Sequence, residues 1–262
     1  MVLPDPLVFD HLAKFPGLIH GVFSRAGGKS VGPFSGLNLG MNCGDEPVTV
    51  AANRSQMLAV LGGPNAVFLN QVHGKDILVI KKGMDIRDII WNPGTGRTQQ
   101  PVQADAVVTD IEGLALVILV ADCQAVILYD PVNRVVANVH SGWRGSVANI
   151  LGQCVDTMTR KFRCRPENIL AGISPSLGPC CAEFINYRTE IPEPLWKYRL
   201  KGRANFDFWK MSRDQLAEKG MKRDHIRFMG KCSKCNEDIF FSYRANRTTG
   251  RFGAVVGLIG DE

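Results

Sequence analysis

Three residues of metal-ligating type stand where apolar, strand-like runs end. His73 lies in LNQVHG, Cys123 lies at a break between two apolar runs in LVADCQAVILYD, and His140 lies in NVHSGWRGS. Zinc binds imidazole nitrogen and thiolate sulfur, and a catalytic zinc usually keeps three protein ligands and one open position. The three residues indicate a candidate divalent-metal site. The alternative is that each packs separately in the core or in a loop, because spacing alone does not bring distant residues together.

Two arginines beside glycines are candidate anion-binding residues. Arg144 has a glycine on either side in SGWRGS, and Arg25 precedes two glycines in FSRAGGKS. A guanidinium group forks onto phosphate or carboxylate, and neighbouring glycines let the backbone approach a ligand closely. Ser146 is expected to cap the helix that follows Arg144. A surface arginine in a tight turn is the competing interpretation of Arg144.

The residues around Cys123 also allow other chemistry. Asp122 directly precedes it and is a candidate to orient a metal-bound histidine, although a purely structural carboxylate is an equal alternative. A metal-free thiol hydrolase acting on amides would use Cys123 as nucleophile and His140 or His73 as base. A third hypothesis is a non-enzymatic metal-binding or partner-binding module.

Four further cysteines form two short motifs. Cys180 and Cys181 are adjacent in GPCC, and Cys232 and Cys235 form a C-x-x-C. They are compatible with a second, structural zinc site, with a redox pair, or with buried thiols. Sequence alone leaves these three interpretations open.

Composition bounds the class of protein. The 262 residues are 45% hydrophobic and 21% charged, which is ordinary for a soluble globular protein. The net charge of +6 is scattered, without a basic stripe interleaved with aromatics, so small anionic substrates are favoured over nucleic acid. No apolar run is long enough to span a membrane, and no secretory signal is recognised. We therefore expect a cytoplasmic monomer or small homo-oligomer with neither nucleic-acid nor membrane partners.

The periodicity predicts many strands and few helices, which implies sheets covered by helices in an α+β or layered α-β-β-α fold, while the length allows one large domain or two small ones. Gly83–Gln103 is predicted as a loop between strands because of its proline, glycine and glutamine content. Helices are predicted at Val48–Leu61, Val147–Phe162 and Phe208–Lys219. Strands are predicted at Ile19–Ser24, Val67–Gln71, Ile77–Lys81, Ala106–Thr109, Leu114–Val120, Val126–Tyr129, Val135–Val139, Ile169–Ile173 and Ala254–Ile259.

Six motifs in order resemble the laccase-domain family: LNQVHG, ADAVVTD, ADCQAVILYD, VANVHSGWRG, AGISPSLGPCC and FFSYRANRTTGRFG. Its members were first called multicopper polyphenol oxidases and are now described as zinc-dependent purine nucleoside phosphorylases. The resemblance implies a single α-β-β-α domain spanning residues 1–262 and zinc ligands at His73, Cys123 and His140, with copper as an alternative metal. It also implies phosphorolysis of adenosine, inosine and methylthioadenosine, together with adenosine deamination, and therefore nucleosides and phosphate as partners.

The older copper-oxidase description of that family fits the composition less well. A multicopper oxidase needs a blue-copper centre and a trinuclear centre, which together take more histidines than the five in this chain. No His-x-His pair is present either. A copper-dependent polyphenol oxidase is therefore the least favoured activity.

Overall fold

Two β-sheets face each other in the computed structural model, which describes residues 5–92 and 101–260. One sheet has the strand order β1-β11-β6-β2-β4 and the other β10-β9-β7-β8-β5-β3. The strands are β1 Leu18–Val22, β2 Asn65–Phe68, β3 Ile77–Ile80, β4 Ile90–Trp91, β5 Ala106–Thr109, β6 Leu114–Val120, β7 Gln124–Asp130, β8 Val135–Ser141, β9 Leu170–Ile173, β10 Ile226–Phe228 and β11 Phe252–Leu258.

Helices cover the outer faces of both sheets. The helices on these faces are α1 Pro47–Val60, α3 Ile150–Phe162 and α5 Phe208–Glu218, whereas α2 Trp143–Val147 and α4 Tyr187–Glu190 contribute to a separate apolar cluster. Residues of α1 pack against the first sheet, and residues of α3 and α5 pack against the second. A third apolar cluster fills the space between the sheets. The predicted single-domain α+β fold with α-β-β-α layers is confirmed.

The central strands are buried on both faces, which explains how they could be read from the sequence. Every residue of β7, β8 and β11 is buried. Such strands appear as continuous apolar runs rather than as alternating patterns. Every predicted strand overlaps an observed one: the bounds of Ala106–Thr109 and Leu114–Val120 are those observed, and each of the others is shifted at one end or both. The short strands β4 and β10 were missed.

The segment after β8 corrects one helix prediction. The predicted helix Val147–Phe162 is divided at Asn149, whose φ of 54° lies in the left-handed region and whose side chain accepts a hydrogen bond from the Gly152 N–H to cap α3. Ser146 lies inside the preceding helix α2 and its hydroxyl contacts that of Ser141, so the prediction that Ser146 is a cap was wrong.

The predicted loop Gly83–Gln103 was also wrong in part. Ile90–Trp91 forms the edge strand β4, which pairs antiparallel with β2. Residues 93–100 of that segment lie outside the described residues. Among the described helices, none is long and apolar enough to cross a membrane.

Candidate metal centre

Sheet order explains why three distant residues meet. His140 lies on β8, which is the neighbour of β7 on one side and of β5 on the other. Cys123 immediately precedes β7, where Ala125 pairs with His140. His73 lies in the loop between β2 and β3. The ligand atoms of His73, Cys123 and His140 all lie within 4.8 Å of one another.

A single buried carboxylate, Asp105, holds both histidines in place. It directly precedes β5 and is 0% exposed. Its Oδ1 lies 2.7 Å from His140 Nδ1 and accepts the backbone N–H of His73 at 2.9 Å, and its Oδ2 accepts the N–H of Gly74 at 2.6 Å. Because an ionised carboxylate only accepts, His140 Nδ1 carries the proton. Its Nε2 is therefore the nitrogen available as a ligand, as in carboxylate–histidine–metal arrangements.

The electrostatics favour a charged thiolate beside the histidines. Burial alone would raise the pKa of Cys123, but the neighbouring His140 and His73 lower it to about 6. Burial would likewise lower the pKa of His140, whereas the Cys123 charge and the hydrogen bond to Asp105 raise it to about 9. Burial also acts to raise the pKa of Asp105, but the hydrogen bonds from His140 and Gly74 outweigh it, so the pKa lies below its ordinary value.

Two backbone features make room for the three side chains. His73 has a φ of 60°, a left-handed conformation that its N–H bond to Asp105 holds in place. Any other residue at position 142 would displace the ligand side chains, because a Cβ there would lie 2.7 Å from His73 Nδ1 and 3.0 Å from Cys123 Sγ. The glycine of HSGWRG therefore keeps open the space between the donor atoms.

The donor set fits a divalent metal. Ideal tetrahedral zinc places a nitrogen and a sulfur ligand about 3.5 Å apart, and Cys123 Sγ lies 4.0 Å from His73 Nδ1. Two imidazoles and one thiolate suit zinc or copper. All three residues line one side of a cavity of about 1250 Å³. A metal at this point would keep a position open to a ligand in the cavity.

The two predicted anion-binding arginines lie in different places. Arg144 is exposed and lines the cavity, with its guanidinium 4.7 Å from the centre of the Trp143 ring. Arg25 does not line the cavity: its guanidinium donates to the backbone carbonyls of Glu237 and Ser35. Sequence reasoning missed other arginines of the cavity wall, which are Arg54, Arg244, Arg247 and Arg251.

Asp122 has a different partner set from the one expected. Its carboxylate accepts hydrogen bonds from the hydroxyls of Ser233 and Ser242 and from the N–H of Arg244. The carboxylate that contacts a histidine is Asp105. The only signal for Asp105 in the sequence was its position directly before an apolar strand, in ADAVVTD.

Comparisons with known proteins agree with this architecture. The family model described as multi-copper polyphenol oxidoreductase laccase matches residues 19–259. In three dimensions the chain superimposes on the crystal structure of YlmD from Geobacillus stearothermophilus with a TM-score of 0.84, at 29% identity and with 99% of each chain covered. Fold and site thus define a two-sheet α+β protein with a His/Cys/His centre in an open cavity. The chain belongs to the multi-copper polyphenol oxidoreductase laccase family.

Curated relatives carry a different functional name from the family. The chain is 33% identical to purine nucleoside phosphorylase YlmD of Geobacillus stearothermophilus, with 93% of this chain and 91% of the relative covered. It is also 33% identical to purine nucleoside phosphorylase YfiH of Escherichia coli strain K12, with 90% and 92% covered. These relatives make the chain a member of a family of enzymes.

Proposed function

We propose that this protein is a metal-dependent purine nucleoside phosphorylase that also deaminates adenosine. It would cleave adenosine, inosine and methylthioadenosine with phosphate, giving the purine base and a pentose 1-phosphate. The observation that carries the proposal is the convergence of His73, Cys123 and His140 on a cavity large enough for a nucleoside and phosphate together, in a chain that aligns almost end to end with purine nucleoside phosphorylases.

Phosphorolysis needs a bound anion next to the pentose. A phosphate oxygen forms a bond to C1′ as the bond from C1′ to the purine nitrogen breaks, and the leaving base takes up a proton. Arg144 lines the cavity on the short segment that follows His140, and Arg244 and Arg247 line it too. These cations would hold phosphate and offset negative charge, and such positioning and charge stabilisation supply most of the acceleration in reactions of this kind. Arg25 has no place in this step because it does not line the cavity.

The centre itself would be held by His73, Cys123 and His140, with zinc as the preferred metal and copper as the alternative. When bound, a divalent ion there would supply Lewis acidity and lower the pKa of a water ligand. Asp105 would fix the ring of His140 and the backbone of His73, so that the donor atoms stay aligned.

Adenosine deamination would use the same cavity. The reaction replaces the amino group of the purine by an oxygen from water, and a carboxylate is needed to move protons. Glu183 and Glu190 line the cavity together with Asp122. Because the Asp122 carboxylate already accepts three hydrogen bonds, the two glutamates are the freer candidates for that proton transfer.

Oxidation of polyphenols by several copper ions has little support. All five histidines lie in the described part of the chain, and only His73 and His140 line the cavity. His11 and His225 contact backbone carbonyls, and His20 accepts the Phe9 N–H. The histidines needed for a trinuclear copper centre are therefore not gathered at this site.

One assay tests the proposal. Protein purified without chelators is analysed for metal and then incubated with inosine, with and without phosphate. We expect bound zinc, hypoxanthine release that depends on phosphate, and ribose 1-phosphate as the second product. Adenosine should yield adenine with phosphate, and inosine plus ammonia without it. A protein that binds no metal and forms no ribose 1-phosphate would refute the proposal.

The position of Cys123 between two imidazoles favours a second candidate, the metal-free thiol hydrolase. In that case Cys123 would react quickly with iodoacetamide in untreated protein, since a free thiolate is the reactive form. A zinc-bound thiolate should instead resist alkylation until a chelator is added. Peptide mapping of the alkylated protein separates the two candidates.

A further inference from the structure

A second group of thiols lies at the same end of the second sheet as the metal centre. Strands β9 and β10 are parallel neighbours, so the loops that follow them leave the sheet on the same side. The first loop carries Cys180 and Cys181, and the second carries Cys232 and Cys235. These residues are called the four-cysteine cluster. The backbone of Ser176 bonds to Lys231 and Ser233, which continues the pairing of the two loops up to the cluster.

The sulfur atoms of the cluster have the spacing of ligands around one ion. All four lie within 4.8 Å of one another, and Cys235 Sγ is 3.7 Å from Cys180 Sγ and 3.5 Å from Cys181 Sγ. A tetrahedral zinc with bonds of about 2.3 Å requires sulfur atoms about 3.75 Å apart. We propose that the four-cysteine cluster binds a zinc ion in a closed, structural site, distinct from the His73/Cys123/His140 centre.

The surrounding backbone suits thiolate ligands. The N–H of Gly178 donates to Cys232 Sγ at 3.3 Å. N–H donors of this kind stabilise sulfur in its charged state. A Cβ on Gly178 would lie 3.1 Å from the Cβ of Cys232 and 3.3 Å from Cys180 Sγ, so glycine leaves the thiols room to converge. Lys231 and Lys234 flank Cys232 in the chain and offset the negative charge of four thiolates.

A zinc at the cluster would fix one wall of the cavity. Ser233, between the two cysteines of the C-x-x-C, donates to Asp122, the neighbour of Cys123. Arg244 donates to the backbone carbonyls of Cys181 and Glu183 and lines the cavity itself. Because four protein ligands leave no open position, the ion would hold these loops together rather than bind substrate.

The cluster is best tested without the other centre. In the full-length His73→Ala/Cys123→Ser variant, expressed with both zinc and iron supplied, elemental analysis should find about one zinc ion per chain. X-ray absorption at the zinc edge should show four sulfur neighbours at about 2.3 Å and no nitrogen. Neither measurement depends on phosphorolysis, so the result stands whether or not the proposed function is correct.

Further substitutions in that background locate the ion. Adding Cys232→Ser and Cys235→Ser should remove the zinc, whereas Cys235→His should keep it, since three thiolates and one imidazole also bind zinc. Cys43→Ser, outside both groups, should leave the zinc content unchanged. Iron in place of zinc, a disulfide within the cluster detected by non-reducing mass spectrometry, or protein without metal would each overturn the proposal.

Discussion

The two sulfur-containing centres of this protein differ in how many donors they offer and in what lies beside them. His73, Cys123 and His140 provide three donors at the side of a large cavity, and one histidine is exposed. The four-cysteine cluster provides four donors, and none of its members is among the described residues lining that cavity. Donor number and access therefore separate a centre suited to reaction from one suited to holding loops together.

The supports of the two centres differ as well. In the first, the carboxylate of Asp105 fixes a histidine ring and a loop backbone, so the ligands are aligned before any metal binds. In the second, the N–H of Gly178 donates to one sulfur, and the proposed ion would hold the remaining thiols. We therefore expect substitutions in the first centre to affect turnover most, and substitutions in the second to affect stability most.

The largest effect on turnover is expected for Cys123→Ser. Loss of the only thiolate donor should remove the metal and lower kcat/KM for inosine phosphorolysis by on the order of 10³-fold, equivalent to several kcal/mol of transition-state stabilisation. Steady-state kinetics measure the fall in kcat/KM, and elemental analysis measures the loss of metal. The melting temperature should change by only a few degrees, since no loop depends on this residue alone. Activity within tenfold of the unchanged protein would show that the centre is not used in phosphorolysis.

Next in size is Asp105→Asn, which keeps the shape of the side chain but weakens its hold on His140. Mutation of a residue that orients a metal ligand typically lowers metal affinity or activity by about 10-fold to 100-fold. Zinc affinity and kcat/KM should therefore both fall by that amount. Asp122→Asn is the matched control, because that carboxylate contacts Ser233 and Ser242 rather than a histidine. Equal losses of zinc in the two variants would contradict the assignment of Asp105.

Asp105 also shows what the sequence could not predict. Residues of rare, ligating type stood out at strand ends, so His73, Cys123 and His140 were found. An aspartate before a strand has no such signature, and its role depends on strand β5 pairing with β8, which is a property of the sheet order. Asp122 was expected to orient a histidine because it adjoins Cys123 in sequence. In the structure its side chain points to the loop after β10 instead.

The fold was predicted where burial left a simple pattern. Continuous apolar runs identified the strands of the sheet interiors, and an apolar stripe identified most of α3. The division between α2 and α3 was missed because the helical spacing runs on through Asn149, and only its left-handed conformation ends one helix and begins the next. The edge strand β4 was missed because a two-residue strand has no periodicity to read.

An effect of similar size, but confined to phosphate binding, is expected for Arg144→Gln, which tests the cavity wall beside the first centre. Charge-assisted hydrogen bonds contribute about 1.5–3 kcal/mol, so losing them should raise KM for phosphate by roughly tenfold to a hundredfold with little change in zinc content. Arg25→Gln is the control, because its guanidinium is bound to loop carbonyls outside the cavity. Phosphate saturation curves for both variants provide the measurement. If Arg25→Gln raised KM for phosphate as much, the anion site would have been misplaced.

The smallest effect on turnover, with the largest on stability, is expected for Cys232→Ser. Loss of one thiolate from the four-cysteine cluster should cost about 3 kcal/mol and lower the melting temperature by on the order of 10 °C. Below that temperature kcat/KM should fall less than tenfold, because Arg244 and Glu183 shift while the His/Cys/His donors remain. Calorimetry and kinetics on the same preparation give both values, and the separate variant Cys235→His should keep most of the melting temperature of the unchanged protein. If turnover fell as far as in Cys123→Ser at unchanged stability, the cluster would belong to the reacting site, and donor number would no longer distinguish the two centres.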